Sequence, residues 1–424
     1  MKFSVKLYAA MALLAVASVA LPAQGVQPAP GGGEAAMEAC AADTAMADTA
    51  ATAAEPAWPL NVQARLARLL DDEMFERSQV GLMVYDLTAD STLFRHNERQ
   101  TLRPASTMKV VTAVAAIDRL GGSHLFRTSL RYTGSIAGGT LRGDVYLVGG
   151  FDPRFNADDM SAFVEALRRV GVDTLRGRIV ADKTAKDADR LGEGWCWDDD
   201  NPVLSPLLVS RRDEFAARFL SRLRAEGVVV EADTTEGRTP ADAFELCTRT
   251  HTMDQVLMPM MKESDNLCAE AMFYQLGMAA GARPATARHA RSVVARLIEK
   301  IGLRPADYRV ADGSGLSLYN YVTAELEVML LRYAYQNTNI YTHLLPSLPV
   351  AADDGTLARR MRGTFAAGNV RAKTGSVAAV SSLAGFCTAA NGHVLCFAII
   401  NQGLRRGSAG RAFQDRVCTE LCRP

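Results

Sequence analysis

Apolar residues recur at two periods along the chain, and each period predicts a different kind of element. Apolar side chains at roughly helical spacing predict a first helix over residues 60–70. Residues 79–86 and 91–95 have the composition of two short strands joined as a hairpin. The run 106–117 is apolar on nearly all sides, which predicts a helix buried in a core.

The pattern changes after residue 125. Short strands dominate up to about residue 206 and are interrupted by one helix near 160–170, which predicts an inserted α+β unit. Helical spacing returns at about residue 215 and continues with interruptions to about 336. The closing segment is rich in strands until a last helix from about Gly410. The fold class predicted for the chain is therefore α/β (α+β).

The N-terminus has the composition of an export signal. Two lysines precede an uncharged apolar run, and small residues follow, so residues 1–23 are interpreted as a cleaved signal peptide. Residues 24–57 are rich in Ala, Thr, Gly and Pro and are interpreted as a flexible linker. No stretch is long and apolar enough to span a membrane. These features predict a periplasmic or extracellular protein without a transmembrane segment.

Composition narrows the classes of function. The 424 residues are 48% apolar and 22% charged, which is typical of a globular protein with room for two or three domains. The 47 basic residues balance the 47 acidic ones, and no long basic run occurs, so nucleic acid is not an expected partner. The six histidines are scattered and no CxxC occurs, so neither a metal nor another cofactor is expected.

Eight cysteines in an exported chain can form disulfides. One pair is suggested by an Asn391-Gly392 turn, which as a two-residue hairpin loop would place Cys387 opposite Cys396. Two small buried apolar side chains are an equally good interpretation of this pair.

The first chemically suggestive segment is Ser106-Thr107-Met108-Lys109. A serine at a helix start and a lysine three residues later lie on one helical face, so the amine can reach the hydroxyl. Burial in an apolar helix would lower the lysine pKa and provide a neutral base. Taken alone, the pattern also fits a helix cap followed by a surface lysine.

Two further segments offer complementary groups. In Ser264-Asp265-Asn266, the hydroxyl can relay protons and the amide can orient a lysine and a substrate, although the tripeptide also resembles an ordinary helix cap. In Lys373-Thr374-Gly375-Ser376, the cation and the Thr374 hydroxyl can hold a carboxylate. The glycine lets the backbone approach a substrate, and the Ser376 N–H can form an oxyanion hole with that of Ser106.

In this order, the three segments resemble those of the penicillin-binding proteins. The chain is most similar to the D-alanyl-D-alanine carboxypeptidase/endopeptidase family of the class C low-molecular-mass type, over roughly residues 60–415. Segments 194–199 (GWCWDD) and 312–317 (DGSGLS) are part of the likeness. The resemblance implies a transpeptidase/β-lactamase-like catalytic domain, residues 58–127 and 207–424, with an inserted α+β or β-rich domain at 128–206.

The resemblance also implies a mechanism. Ser106 attacks the carbonyl after a D-alanine of a peptidoglycan stem peptide, Lys109 accepts its proton, and Ser264 passes a proton to the leaving amine. Asn266 holds the acyl group and Lys109, while Lys373 and Thr374 bind the carboxylate. The charge of Lys373 is expected to help keep Lys109 neutral. Gly375 and Ser376 complete the substrate-binding set, and β-lactams are expected to acylate the same serine.

Two other functions remain as alternatives. A class A-like β-lactamase has the same three motifs, but this chain has no Glu-x-x-Leu-Asn between Ser106 and Ser264. A non-catalytic peptidoglycan-binding or β-lactam-sensing protein would not need every catalytic residue type, and all of them are present.

Overall fold

A computed structural model of the protein describes residues 57–424. The predicted signal peptide and all but the last residue of the predicted linker lie outside the described residues. The strands are β1 (Gln79–Asp86), β2 (Ser91–His96), β3 (Leu125–Tyr132), β4 (Ser135–Ala137), β5 (Thr140–Arg142), β6 (Val145–Gly149), β7 (Thr174–Asp182), β8 (Val229–Glu236), β9 (Phe244–Thr252), β10 (Arg371–Val377), β11 (Val380–Thr388) and β12 (Val394–Gln402). The helices are α1 (Leu60–Leu69), α2 (Met108–Leu120), α3 (Ala157–Arg169), α4 (Phe215–Ala225), α5 (Met253–Lys262), α6 (Asn266–Ala279), α7 (Ala287–Lys300), α8 (Ala324–Gln336), α9 (Thr338–Ser347) and α10 (Gly407–Cys422).

The first sheet is antiparallel and has the strand order β10-β11-β12-β1-β2. Its central strands are buried on both faces. On β12, Phe397 and Ile399 pack with α1 and α10, whereas Ala398 and Ile400 pack with the larger group of helices that contains α2, α6 and α8. Because side chains alternate between the faces of a strand, β12 contributes to both cores. The predicted strand 79–86 coincides with β1.

The second sheet is mixed, with the order β4-β5-β7-β6-β3-β9 and β8 paired to β7. Its strands extend from Leu125 to Thr252, so the sheet exceeds the predicted insert of 128–206. The difference lies mainly in residues 207–252, which were assigned to the catalytic domain. There α4 packs its apolar face, including Phe219, on this sheet, while β8 and β9 pair with β7 and β3. Helical spacing alone does not show which sheet a helix covers.

The predicted pairing of Cys387 with Cys396 is wrong. Cys387 lies opposite Leu395, and Cys396 lies opposite Phe386. The hairpin loop has one residue more than expected, with Gly392 at φ +86°, and a shift of one residue turns the two thiols to opposite faces. Both are free, buried thiols, as in the alternative interpretation.

The helices within residues 57–424 include none that is both long and apolar enough to cross a membrane.

Candidate active site

Ser106 lies in a short 3₁₀ turn, Ala105–Thr107, that leads directly into α2. Ala105 has φ +50°, a left-handed conformation that an alanine rarely adopts. The first ten residues of α2, up to Ile117, are buried, whereas Ser106 remains partly exposed. A buried helix therefore presents a reachable hydroxyl at its start, and the strained turn is typical of a functional site.

Lys109 lies one helical turn after Ser106 and is fully buried. Its Nζ donates to Ser106 Oγ at 3.0 Å, to Asn266 Oδ1 at 2.8 Å and to the carbonyl oxygen of Ser314 at 2.7 Å. Burial lowers the pKa of Lys109 to about 8, although nearby carboxylates, Asp312 first, oppose the shift. A fraction of these amines is therefore neutral at neutral pH and can accept a proton from the adjacent hydroxyl.

The Ser264-Asp265-Asn266 segment connects α5 to α6. Ser264 has φ +62°, and Asn266 is the first residue of α6, so the turn directs both side chains toward the two lysines. Asp265 is the helix cap: it accepts from the backbone N–H of Cys268 and pairs with Arg211. The cap interpretation thus applies to Asp265, whereas Ser264 and Asn266 contact Lys373 and Lys109.

Lys373 lies on β10, the edge strand of the first sheet, yet its side chain is fully buried. Its Nζ donates to Ser264 Oγ at 2.9 Å and to the carbonyl oxygen of Thr374 at 2.6 Å. The Thr374 hydroxyl donates to Thr356 Oγ at 2.8 Å. Lys373 is therefore a buried group of the site and not a solvated surface lysine.

The two buried lysines of the site repel each other when both are charged. That Lys373 helps keep Lys109 neutral stays a prediction. In the structure, burial first and repulsion from Lys109 second hold the pKa of Lys373 well below its ordinary value. For Lys109, the lowered pKa comes from burial. An incoming carboxylate beside Lys373 would favour its charged form.

Gly375 brings β10 close to the serine turn. A Cβ at this position would lie 2.7 Å from the Pro104 carbonyl oxygen and 3.0 Å from the backbone nitrogen of Ser106, which is too close for any other residue. The next residue, Ser376, is exposed. The backbone of β10 therefore runs beside the Ser106 N–H, where the predicted oxyanion hole requires it.

Three contributors to the site were not assigned a role from the sequence. Ser314 supplies the carbonyl oxygen that accepts from Lys109. Glu270 accepts from the N–H groups of Gly313 and Ser314 at 3.1 and 2.8 Å, and burial together with Asp312 raises its pKa to about 8. Asp312 accepts from the indole N–H of Trp195 at 2.7 Å. The DGSGLS segment contains Asp312 and Ser314 and the GWCWDD segment contains Trp195, so these two segments could have indicated the contacts. Glu270 lies one helical turn after Asn266, and this spacing could have indicated that it is near the site.

The structure therefore brings all three predicted segments to one place, where α2, the α5–α6 turn and β10 meet. A hydroxyl beside a buried amine, a second hydroxyl beside a second amine, and a backbone edge next to the first hydroxyl are the parts of a serine acyl-transfer site. The fold and the site define a serine enzyme of the transpeptidase/β-lactamase type.

Comparisons with known proteins agree with this class. Residues 62–210 and 207–420 match the D-Ala-D-Ala carboxypeptidase 3 (S13) family. The D-alanyl-D-alanine carboxypeptidase of Actinomadura sp. (strain R39) is 30% identical, with 83% of each chain covered. The D-alanyl-D-alanine carboxypeptidase DacB of Haemophilus influenzae is 25% identical over 80% of this chain and 88% of its own. The chain therefore belongs to the S13 family and is a serine-type D-alanyl-D-alanine carboxypeptidase.

A solved structure confirms the predicted fold class. The crystal structure of penicillin-binding protein 4 (dacB) from Haemophilus influenzae superimposes with a TM-score of 0.76 at 24% identity, covering 84% of this chain and 98% of that one. The same protein has been crystallised in complex with a β-lactam.

Proposed function

We propose that Ser106 is the nucleophile that removes the terminal D-alanine from peptidoglycan stem peptides. The observation that carries this proposal is the position of Lys109 Nζ, which contacts Ser106 Oγ and Asn266 Oδ1 from within the core. An amine with a pKa of about 8 is suited to accept the serine proton at neutral pH. The relatives' names supply the substrate class.

In the acylation step, Ser106 Oγ bonds to the carbonyl carbon and its proton passes to Lys109 Nζ. The N–H groups of Ser106 and Ser376 stabilise the oxyanion. The C–N bond to the last residue then breaks, and the proton that Lys109 took up passes through the Ser264 hydroxyl to the departing amine, so both side chains return to their starting states. In deacylation, Lys109 accepts a proton from the attacking water and returns it to Ser106 Oγ as the ester bond breaks.

We assign substrate binding to residues of β10 and to Asn266 at the start of α6. Lys373 and Thr374 bind the terminal carboxylate, Asn266 orients the acyl amide, and Gly375 leaves room for the peptide against β10. A β-lactam carries a carboxylate and a reactive amide in comparable positions, so it acylates Ser106.

The test is release of D-alanine from a synthetic peptide ending in D-Ala-D-Ala. We expect release by the wild-type chain, none by Ser106→Ala, and none from a matched peptide ending in L-alanine. Labelled penicillin should mark the wild-type chain only. Release of D-alanine by Ser106→Ala at the wild-type rate would overturn the proposal.

We also propose that the chain acts in the periplasm or outside the cell after loss of residues 1–23. The apolar run and its small-residue flank support this proposal. N-terminal sequencing of the protein from the producing cells should give Gln24 as the first residue. Recovery of the intact N-terminus from the cytoplasm would contradict it.

A further inference from the structure

Arg211 is a charged residue beside the second sheet that the mechanism above does not use. It lies in the turn 209–212, which is closed by two backbone hydrogen bonds of 3.0 Å between Val209 and Arg212. Val209 is buried in the core of the second sheet, and the Ser210 N–H donates to the Phe155 carbonyl oxygen at 2.8 Å. The turn is therefore anchored in the second sheet.

The Arg211 side chain extends from this turn to Asp265, which lies in the α5–α6 turn of the active site. Its Nη1 donates to Asp265 Oδ2, and its Nη2 donates to Oδ1 at 3.2 Å. Both oxygen atoms of the carboxylate are thus engaged in a forked ion pair. The Asp265 side chain is only 9% exposed, whereas that of Arg211 is half-exposed. The ion pair therefore joins the second sheet to the catalytic turn.

The role of Asp265 as a helix cap does not explain why this residue is an acid. The Cys268 N–H donates to Oδ1 at 3.0 Å, and an asparagine would provide such an acceptor equally well. An asparagine could not provide a charge for Arg211. Burial would raise the pKa of Asp265, but the hydrogen bonds from Arg211 and from the Cys268 N–H outweigh it and lower the pKa. The charge of Asp265 is therefore matched to the arginine.

The backbone is strained on both sides of the ion pair. Ser210 and Arg211 have φ +48° and +69°, and Ser264 has φ +62°, all in the left-handed region that residues with a side chain rarely adopt. Such strain persists only where surrounding contacts hold it. Ser264 and Asn266, which contact the two lysines, directly flank Asp265 in the chain. A change in the position of Asp265 would therefore move both of them.

We propose that Arg211 is a positioning residue: its ion pair with Asp265 holds the α5–α6 turn where its serine and asparagine contact the two buried lysines. This inference rests on the proposed roles of Ser264 and Asn266. Within residues 57–424 the Arg211 side chain hydrogen-bonds to Asp265 alone, so it acts through the turn and not on the reacting atoms. Its loss should slow acylation, most of all when the leaving group needs the proton that Ser264 relays.

The test compares kcat/KM for two matched peptide substrates. One ends in D-Ala-D-Ala, and its departing amine needs a proton. In the other a thioester replaces the last amide bond, and the thiolate departs without a proton. Arg211→Gln should lower kcat/KM about three- to tenfold on the amide and clearly less on the thioester. Loss of folded protein would lower both values equally, so the ratio of the two losses reports the position of Ser264.

A double-mutant cycle tests whether the effect passes through Asp265. Asp265→Asn keeps the helix cap but removes the charge that faces Arg211, so it should slow the amide reaction about as much as Arg211→Gln. The double variant should be no slower than the slower single variant. The matched control is Arg212→Gln, which removes a charge from an exposed side chain of the same turn and should leave both rates unchanged.

Four results would overturn the inference: wild-type rates in Arg211→Gln, equal losses on the amide and the thioester, losses that multiply in the double variant, or an equal loss in Arg212→Gln. If Arg211→Gln does not fold, Asp265→Asn decides alone. A larger loss on the amide than on the thioester then supports the inference, and wild-type rates or equal losses contradict it.

Labelling by penicillin separates this inference from the proposed function. Labelling of Ser106→Ala would remove the proposed function itself. Loss of labelling in Ser106→Ala together with wild-type kcat/KM in Arg211→Gln would remove only the role of Arg211.

Discussion

The two sheets accommodate buried ionisable groups in different ways. Beside the first sheet, Lys109, Lys373, Glu270 and Glu327 are buried, and the pKa of each is shifted toward the neutral form. In the second sheet Asp182 is also buried. There burial would raise the pKa of the carboxyl, but hydrogen bonds from Thr184 and Thr239 outweigh it and lower the pKa.

The difference lies both in the neighbours and in the depth of burial, which is the first cause of the raised pKa of Glu270 although two N–H groups donate to it. Asp182 has three donors at 2.6–3.0 Å, enough to satisfy its charge. Lys109 and Lys373 donate to neutral oxygen atoms, such as those of Asn266 and Ser264. The second sheet thus keeps an ionised group in one state, whereas the catalytic region keeps groups that can change state near neutral pH.

The largest expected effect is the loss of the base. Lys109→Met removes the amine without leaving a buried charge, and Lys109→Arg replaces it with a group that stays protonated. Both should lower the acylation rate by about 100- to 10,000-fold. The measurement is labelling by fluorescent penicillin over time, with circular dichroism as the control for folding. Near-normal labelling of Lys109→Met would show that the amine is only structural.

Removal of the second amine should have a smaller effect. Lys373→Ala loses one charge-assisted contact to the substrate carboxylate, which should lower acylation about ten- to a hundredfold. Acylation by an ester analogue without the carboxylate should slow much less in this variant. The measurement is therefore the ratio of the acylation rates with the charged and the uncharged substrate, in the variant and in the wild type. Equal losses on both substrates would mean that Lys373 does not bind the carboxylate.

The wild-type pH dependence should report Lys109 directly. Because the neutral amine is the active form and its pKa is about 8, the acylation rate should rise about tenfold per pH unit below 8 and level off above it. Rates from pH 6 to 9.5 with one β-lactam test this. An acylation rate that does not change across this range would contradict the assignment of Lys109 as the base that accepts the Ser106 proton.

The smallest effect on catalysis should come from Asp182→Asn. Asp182 lines a cavity with Gln275 near the C-terminal end of α6, whereas Asn266 lies at the N-terminal end, so acylation should not change. Stability should fall by about 1–3 kcal/mol at pH 7. Since the folded-state pKa of this acid is depressed, its contribution is present above the unfolded value of 3.8 and is lost as pH falls through the folded pKa.

Thermal unfolding of Asp182→Asn and the wild type at pH 7 and at pH 3 measures this difference. The gap in Tm should narrow at pH 3. A Tm difference that widens at pH 3, or slower acylation by Asp182→Asn than by the wild type, would mean that the Asp182 carboxylate is not stabilised independently of the active site.

The catalytic segments could be predicted from the sequence because their chemistry is local. Ser106 and Lys109 are one helical turn apart, so their contact follows from helix geometry alone. The burial of Lys373 on an edge strand could not be predicted this way, since it depends on tertiary contacts such as the one with Ser264, which lies more than 100 residues earlier in the chain.

The contributions of Ser314 and Glu270 were missed for a related reason. Ser314 acts through its backbone carbonyl, which any residue type provides. Glu270 acts indirectly, because it accepts a hydrogen bond from the backbone N–H of Ser314 in the loop that carries this carbonyl. The limits of the second sheet were missed because α4 has the spacing of any amphipathic helix, and only tertiary packing decides which sheet it covers. The Cys387–Cys396 prediction failed by one residue in a turn.

The most direct test of the central claim, that a buried lysine makes Ser106 the nucleophile, is to locate the acyl group. The wild-type chain is treated briefly with penicillin, digested, and analysed by mass spectrometry. We predict a single penicilloyl adduct on Ser106, absent from Ser106→Ala and strongly reduced in Lys109→Met. An adduct on Ser264 or on another residue, or no adduct at all, would contradict the account.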